Sequence, residues 1–373
     1  MGLEVSNLVK IYSRRNEHHT ALDGVSFSAP AGAFVTLLGP SGCGKSTLLN
    51  MLAGLDKPTS GKIAINSTVV YDSDAGAFVA PGKRDISMVF QSYAIWPHMT
   101  VRENVAFPLL NGRKKSTDRK LLEKAIDTAL EKVHLSSFAD RPAPLLSGGQ
   151  QQRVSLARAI AQSPKLILLD EPLSNLDANL RDVMQKEIRN IVSGEGITAV
   201  YVTHDQKEAL AMSDVIIVLK DGHIEQIGSP NQIYYRPQTK FVAQFMGAPN
   251  LIAAKVRDVK KESGQVVFEC ALGHVFAMLQ EESVSVGDDV TLVLRQEDFE
   301  VSVYTTEKSS FGVNEYLLPI KKAVFLGEKM ELICAAEGLK EPLSAYVNAR
   351  LVPAEARHVC LYYPPSSVHY IKE

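Results

Sequence analysis

The segment Gly39 to Ser46, which reads GPSGCGKS, constrains the fold of this chain more than any other stretch of its sequence. It follows a short apolar run, Phe34 to Leu38, and opens a stretch with helical spacing, Lys45 to Ala53. A glycine-rich turn between a strand and a helix lets backbone N–H groups converge on one centre, and the helix N-terminus adds partial positive charge there. The pattern predicts a phosphate-binding loop, with a purely structural glycine turn as the plainer alternative.

Residue types within this loop suggest separate roles. Lys45 can reach the β- and γ-phosphates of a nucleotide, and the Ser46 hydroxyl can ligate Mg²⁺. Phosphoryl transfer needs no thiol, so we interpret Cys43 as a small filler side chain that alkylating reagents can reach. The predicted nucleotide-binding residues of the loop are Gly39, Pro40, Ser41, Gly42, Cys43, Gly44, Lys45, Ser46 and Thr47.

A second apolar run, Leu166 to Leu169, ends in two carboxylates, Asp170 and Glu171. Neighbouring residues of a strand point to opposite sides, so the two carboxylates can serve different purposes. Asp170 is placed to hold Mg²⁺ and Glu171 to polarise an attacking water. Because strands often end in acidic turns, the pair is informative only together with the phosphate-binding loop.

Apolar strands and amphipathic helices alternate through the first two thirds of the chain, which predicts a parallel α/β sheet. Predicted elements are strands at Phe34 to Leu38, Leu166 to Leu169, Ile197 to Thr203 and Val215 to Leu219, a hairpin of Lys62 to Ile65 with Val69 to Tyr71, a helix from Leu122 to Val133 and a solvated loop from Arg113 to Lys120. Short alternating segments follow Gly247. We expect an α/β domain over residues 1–246, with a helical subdomain at about 92–160, and a small all-β domain over 247–373.

The bulk composition excludes some classes of function. Forty basic residues stand against 42 acidic ones, a net charge of −2, which argues against a nucleic-acid partner. The four cysteines are scattered without metal-ligand spacing and suit a reducing compartment. No window approaches the ~20 apolar residues of a membrane span, and the charged amino terminus does not fit a signal peptide. We expect a soluble, cytoplasmic chain that meets a membrane only through partners.

Leu146 to Gln150 reads LSGGQ and is followed by Gln151-Gln152-Arg153. On this pentapeptide, the phosphate-binding loop and the Asp170-Glu171 pair, the chain resembles the ABC transporter ATPases, whose signature motif is LSGGQ. A plainer interpretation is that Ser147 caps the helix that the motif opens. The resemblance implies an α/β P-loop NTPase domain with a helical subdomain, which hydrolyses ATP with the help of Mg²⁺.

Further motifs of this family follow in order. Tyr12 resembles the aromatic residue that stacks on adenine; the alternative is an ordinary tyrosine at a strand edge. Gln91 resembles the Q-loop glutamine, and His204 resembles the switch histidine. Ser174 to Asp177 resembles the D-loop. The site implied by the resemblance has catalytic residues Glu171, His204 and Gln91, metal ligands Ser46, Gln91 and Asp170, and nucleotide contacts outside the loop at Tyr12, Ser147, Gly148, Gly149, Gln150 and Asp177.

In this family, two nucleotide-binding domains enclose two ATP molecules head to tail. The resemblance therefore implies a homodimer in which Ser147 and Gly149 of one subunit donate to the γ-phosphate held by the other. The physical reason is that a helix N-terminus with free N–H groups is an anion site. One chain alone leaves that site unfilled.

The segment from Ile233 to Asn250 resembles the linker of importer ATPases that carry a C-terminal regulatory domain of small, OB-like β barrels. Gln91 to Thr100 is most similar to the ferric-ion and polyamine importers, in which a helix of the membrane permease docks on this segment. Trp96 is then an exposed anchor for the permease, and local burial is the alternative.

The resemblance implies permease subunits in the membrane and, through them, a periplasmic or extracellular solute-binding protein, with this chain at the cytoplasmic face of the cell membrane. We expect ferric ion as the cargo; spermidine or putrescine, sugar, sulfate and phosphonate are alternatives. A soluble ABC ATPase without a transport role is a hypothesis of a different class. Regulatory binding through the β domain is compatible with the importer.

Overall fold

The computed structural model describes residues 2–14, 17–112, 118–280, 284–303, 310–353 and 355–372. The chain divides into two compact units, Met1–Ile233 and Tyr234–Glu373. Among the described residues, we find no helix whose length and apolar character would let it span a lipid bilayer.

Within the described part of the first unit, the strands form a six-stranded sheet and a five-stranded sheet. Its strands are β1 (Leu3–Arg14), β2 (Glu17–Ala29), β3 (Phe34–Leu38), β4 (Ser60–Ile65), β5 (Thr68–Asp72), β6 (Ala77–Phe78), β7 (Ile86–Val89), β8 (Leu166–Asp170), β9 (Thr198–Thr203), β10 (Val215–Lys220) and β11 (His223–Gly228). The larger sheet has the order β11-β10-β3-β9-β8-β7, in which β10, β3, β9, β8 and β7 run parallel and β11 is antiparallel. The predicted parallel α/β sheet is thereby confirmed.

The described helices are α1 (Lys45–Ala53), α2 (Val101–Asn111), α3 (Arg119–Lys132), α4 (Gly148–Ile160), α5 (Ala178–Gly194), α6 (Gln206–Met212), α7 (Pro230–Tyr235) and α8 (Lys240–Phe245). On one face of the parallel sheet, Ile167 and Leu169 pack into a core formed with α2 to α5. On the other face, Leu166 and Leu168 pack with α1 and the antiparallel sheet. Because both faces are covered, the run from Leu166 to Leu169 in β8 is continuously apolar instead of alternating.

The five-stranded sheet has the order β2-β1-β4-β5-β6 and is antiparallel. Its β4–β5 hairpin closes through Asn66 and Ser67, whose φ angles are 47° and 64°. Two consecutive residues with positive φ form the mirror-image turn that matches the twist of the flanking strands. The hairpin predicted from sequence is therefore confirmed.

Three helices, α2, α3 and α4, lie within the stretch expected to form a helical subdomain. The side chain of Thr100 accepts from the Glu103 N–H in a capping box that starts α2, and Asp118 caps α3. The predicted loop from Arg113 to Lys120 differs from the structure at its end, because α3 already begins at Arg119. Residues 113–117 of that prediction lie outside the described residues.

The described residues of the second unit form two five-stranded antiparallel sheets, which confirms the predicted sheet-rich C-terminal domain and is consistent with an OB-like fold. Its strands are β12 (Asn250–Lys260), β13 (Gln265–Cys270), β14 (Gly273–Met278), β15 (Asp289–Leu294), β16 (Glu300–Val303), β17 (Glu315–Phe325), β18 (Lys329–Cys334), β19 (Leu343–Asn348), β20 (His358–Tyr362) and β21 (His369–Lys372). The sheet orders are β14-β13-β12-β15-β21 and β16-β20-β17-β18-β19, and both sheets contribute to one apolar core.

The structure divides the chain after Ile233, whereas the sequence suggested a division after Met246. The physical reason is the packing of α8, whose Ala243 is buried against Val293 and Ile371 of the second unit. The buried Arg295 donates from Nη1 to the Met246 carbonyl at 2.7 Å and so fixes the end of this helix to the same unit.

Candidate functional site

The loop between β3 and α1 has a backbone that glycines make possible. Gly42 and Gly44 adopt φ angles of 83° and 104°, and a Cβ on Gly44 would lie 2.6 Å from the Ala21 carbonyl oxygen. A Cβ on Gly39 would lie 2.2 Å from the Leu219 carbonyl oxygen. The loop therefore lies against neighbouring backbone and leads directly into the N-terminus of α1, the arrangement of a phosphate cradle.

Lys45 is the first residue of α1, and its side chain folds back over the loop. Its Nζ donates to the carbonyls of Gly39 at 2.8 Å and Pro40 at 2.9 Å. The prediction that alkylating reagents can reach Cys43 is wrong. Its side chain is only 2% exposed because its Sγ packs against Gly39. Burial raises the pKa of the Cys43 thiol despite the nearby Lys45 ammonium, which disfavours the reactive thiolate form.

The two carboxylates that end β8 point to different neighbours. Oδ1 of Asp170 lies 3.5 Å from Ser46 Oγ, in the first turn of α1. Burial raises the pKa of Asp170, and the neighbouring Glu171 charge raises it further. A hydroxyl and a carboxylate oxygen are the hard ligands that Mg²⁺ prefers, and a divalent cation would relieve the desolvation of Asp170. This donor set fits magnesium.

Glu171 has a left-handed backbone, with φ 41°, directly after the strand ends. Its carboxylate Oε1 lies 3.2 Å from Nδ1 of His204, which follows β9. The His204 ring is mostly exposed, whereas the Glu171 side chain is mostly buried. Sequence reasoning placed both residues at the carboxyl ends of strands, and parallel pairing of β8 with β9 brings them together.

Gln91, after β7, joins this group through a hydrogen-bonded network. Its Nε2 donates to Ser174 Oγ at 3.2 Å, and Ser174 Oγ donates to the Glu171 carbonyl at 2.9 Å. Asn175 Nδ2 donates to the Gln91 carbonyl at 3.1 Å. The predicted Q-loop and D-loop segments therefore contact each other beside Glu171.

A cavity of about 390 Å³ opens above the phosphate-binding loop. Its lining comprises Tyr12, His19, Ala21, Ser41, Gly42, Gly44, Lys45, Ser46, Thr47 and Glu171. Tyr12 is 42% exposed, and its hydroxyl donates to Asp56 at 2.5 Å, which leaves the ring at the cavity. His19 was missed from sequence; the only signal for it was its position on the strand that pairs with Tyr12.

The predicted signature residues lie elsewhere in the chain. Ser147 caps α4 in a capping box with Gln150, so the plainer interpretation of the serine holds locally. Gly149 is buried, and a Cβ there would lie 2.6 Å from Leu180. Ser147 and Gly148 are exposed, and none of the four residues lines the cavity above the phosphate-binding loop.

Asp177 caps α5, where its carboxylate accepts from the Leu180 N–H at 3.0 Å. It does not line the described cavity either.

Sequence reasoning also missed Glu208, a buried carboxylate that accepts from the hydroxyls of Tyr201 and Thr203, both at 2.7 Å. Its position on α6, just after His204, was the available signal.

Trp96 was expected to be an exposed anchor, and this expectation needs correction because the side chain is half-buried. Its ring packs against Phe107 with 4.2 Å between the ring centroids. The Arg158 guanidinium lies 4.7 Å from the Trp96 ring centroid.

A phosphate cradle, a magnesium-compatible carboxylate and a second carboxylate paired with histidine all meet at the carboxyl edge of one parallel sheet. Together these features define a nucleotide hydrolase of the P-loop class.

Comparisons with known proteins identify the family within that class. A model of the ABC transporter family matches residues 22–174. The spermidine/putrescine import ATP-binding protein PotA of Lawsonia intracellularis is 41% identical over 339 residues, 90% of this chain and 86% of that protein. The protein of the same name from Acidothermus cellulolyticus is 38% identical over 368 residues, 98% of this chain and 92% of that protein.

A solved dimeric ATP-binding cassette, in a post-hydrolysis state with ADP and Pi, is similar at a TM-score of 0.53 and 34% identity. The match covers 61% of this chain and 98% of that one. The chain belongs to the ABC transporter family, as an ATP-binding subunit that uses Mg²⁺ and hydrolyses ATP.

Proposed function

We propose that this chain energises the import of spermidine and putrescine through a membrane permease. The single observation that carries the energising role is the divergence of the two carboxylates at the end of β8, one toward Ser46 and the other toward His204. The names of the relatives support this cargo, and the sequence matches to those relatives extend over both units of this chain. Among the cargoes left open by the sequence, polyamine is thus favoured over the ferric ion that we expected first.

Each residue of the site has a defined task in this proposal. The loop N–H groups and Lys45 bind the phosphates, while Ser46 and Asp170 hold Mg²⁺, which supplies charge neutralisation at the phosphates when bound. Glu171 orients and polarises the attacking water as a general base. His204 holds its place beside Glu171 and contacts the γ-phosphate, and Gln91 contributes to the metal site and links it to the docking segment.

Closure of the site requires a second subunit. Ser147 and Gly148 are exposed at the N-terminus of α4, and they do not line the cavity of their own chain. A helix N-terminus with free N–H groups attracts phosphate. We therefore assign Ser147 to Gln150, with Asp177 beside the dimer contact, to the nucleotide bound by a partner copy, and the dimeric solved cassette supports this arrangement.

The proposal places the chain at the cytoplasmic face of the membrane, bound to the permease subunits through the segment around Gln91 to Thr100. A solute-binding protein on the other side of the membrane would deliver the polyamine. The sheet-rich second unit would regulate the ATPase. In this proposal the first unit hydrolyses ATP, and residues 234–246 belong to the regulatory second unit instead of to the ATPase domain expected from sequence.

Uptake measurements test the cargo directly. A strain lacking this gene is given radiolabelled spermidine, putrescine or ferric ion, and is complemented with the wild-type chain or the Glu171→Gln variant. We expect polyamine uptake to depend on the wild-type gene and to remain absent with the variant, while iron uptake is unchanged. Loss of iron uptake with normal polyamine uptake would reject the proposed cargo but keep the ATPase role.

A further inference from the structure

The segment that follows β7 contains two consecutive residues in an unfavourable backbone conformation. Tyr93 and Ala94 have φ angles of 62° and 46°, the left-handed region that side chains disfavour. Neither is glycine, and Tyr93 is only 7% exposed. Such a turn persists only where the surrounding structure holds it in place.

Arg158 of α4 provides that support. Its Nη1 donates to the Ala94 carbonyl at 2.6 Å, and its Nη2 donates to the Tyr93 carbonyl at 2.7 Å. The side chain is 9% exposed. Two carbonyls that point the same way match the planar fork of a guanidinium, and a lysine ammonium cannot bind both with the same geometry.

The same guanidinium also contacts the part of the segment assigned to permease docking. It lies 4.7 Å from the centroid of the Trp96 ring, which also packs against Phe107. The Trp96 N–H donates to the Asn104 side chain at 2.9 Å, so the backbone here is also fixed. Arg158 thus holds the turn and the tryptophan in one arrangement.

At its other end, the segment reaches the backbone of Glu171 through Ser174. Gln91, two residues before the turn, donates to Ser174 Oγ, and Ser174 Oγ donates to the Glu171 carbonyl. A change in the turn at Tyr93 moves Gln91 relative to Ser174. Angstrom-scale displacements of groups that position a reaction have large effects on rate.

We propose that Arg158 is a positioning residue for ATP hydrolysis, which sets Gln91 beside Ser174 and Glu171 by holding the left-handed turn at Tyr93 and Ala94. Arg158 does not contact the nucleotide cavity and acts through Gln91. The inference rests on the proposed roles of Glu171 and Gln91. It deepens the proposed function, because the same guanidinium contacts Trp96 in the docking segment.

The test is a double-mutant cycle in the full chain. Arg158→Met and Arg158→Lys are made in the wild-type background and in a Gln91→Ala background, and kcat and KM for ATP are measured. We expect Arg158→Met to lower kcat about tenfold with KM within about twofold of wild type, and Arg158→Lys to recover part of the loss. In the Gln91→Ala background, Arg158→Met should change kcat less than about twofold, because the residue through which it acts is absent.

Arg153→Met is the matched control. Arg153 lies on the same helix, where it pairs with Glu187 at 2.7 Å and donates to the Val133 carbonyl, away from the turn. The single tryptophan of the chain, Trp96, reports independently on the geometry. Its emission should shift and its quenching by acrylamide should rise in Arg158→Met but not in Arg153→Met. If the Arg158→Met variant does not fold, the double-mutant cycle is measured with Arg158→Lys alone.

Three results would overturn the inference: unchanged kcat in a folded Arg158→Met variant, an equal loss of kcat with and without Gln91, or the same loss in Arg153→Met. Failure of the proposed function has a different signature. In that case Glu171→Gln keeps its turnover, whereas failure of the Arg158 inference alone leaves Glu171→Gln inactive and Arg158→Met active.

Discussion

Replacement of Glu171 by glutamine removes the negative charge and keeps the volume of the side chain. The backbone at this position is left-handed, which costs glutamate and glutamine alike, and the Ser174 contact is to the Glu171 carbonyl, which the substitution does not change. A glutamine amide can still bond to His204. We therefore expect the fold and the arrangement of the site to persist.

The expected loss falls on the chemical step. A positioned general base contributes about 10² to 10⁴ in rate, or about 3 to 5 kcal/mol of the activation free energy. The glutamate charge is one of the causes that raise the pKa of Asp170. Its removal lowers the pKa of Asp170 and favours the ionised form that holds Mg²⁺. The variant should therefore bind Mg-ATP at least as well as wild type.

Three measurements check this reasoning: phosphate release for kcat, a fluorescent ATP analogue for binding, and size-exclusion chromatography with Mg-ATP for the closed dimer. Glu195→Gln is the control, because Glu195 pairs with Lys132 outside the site and should leave kcat unchanged. Near-normal turnover in Glu171→Gln would refute the water-polarising role. A matching loss of ATP binding would show instead that the side chain serves the nucleotide site.

Other perturbations address the loop, the first unit and the second unit. Gly44→Ala should weaken binding of the fluorescent ATP analogue more than about tenfold, because φ is 104° and a Cβ would lie 2.6 Å from a backbone oxygen. Gly76→Ala is the control: this glycine also has a positive φ but has open space around it, so ATP binding should not change. Arg84→Met leaves the buried Met51 and Leu52 carbonyls at the end of α1, and the partly buried Val79 carbonyl, without their donor. It should cost about 3 to 5 kcal/mol of stability, seen as a lower unfolding temperature than in Arg84→Lys. Burial lowers the pKa of His369 to about 4, below its unfolded value, so the folded second unit should lose stability as pH falls from about 6.5 to 4. Thermal unfolding against pH should show this slope, and His369→Gln should reduce it; an equal slope in both chains would contradict the assignment.

Local patterns were sufficient for several elements. The β4–β5 hairpin was predictable because Asn66 and Ser67 separate two apolar strands by the two residues of a tight turn. The apolar runs at β3 and β8 identified buried parallel strands, since only strands covered on both faces lack alternation. The glycine spacing from Gly39 to Gly44 predicted the loop itself, because the required backbone angles depend on residue type.

Other features depend on neighbours that are distant in sequence. The thiol of Cys43 is buried by the close approach of Gly39, a packing arrangement that a loop motif does not encode. Trp96 is half-buried because Phe107 and Arg158 from two helices cover its ring. The division after Ile233 follows from the burial of Ala243 against the second unit, although the residues around it read as a linker.

The sequence by itself determined the phosphate-binding loop, the order of the α/β elements and the sheet-rich second domain, because each depends on spacing within a few residues or on the alternation of apolar side chains. Only the tertiary structure decided which side chains meet: Asp170 with Ser46, Glu171 with His204, and Gln91 with Ser174. These contacts join residues from strands that are neighbours in the sheet but far apart in the chain. Their distances depend on the packing of the whole parallel sheet, and no local pattern specifies that packing.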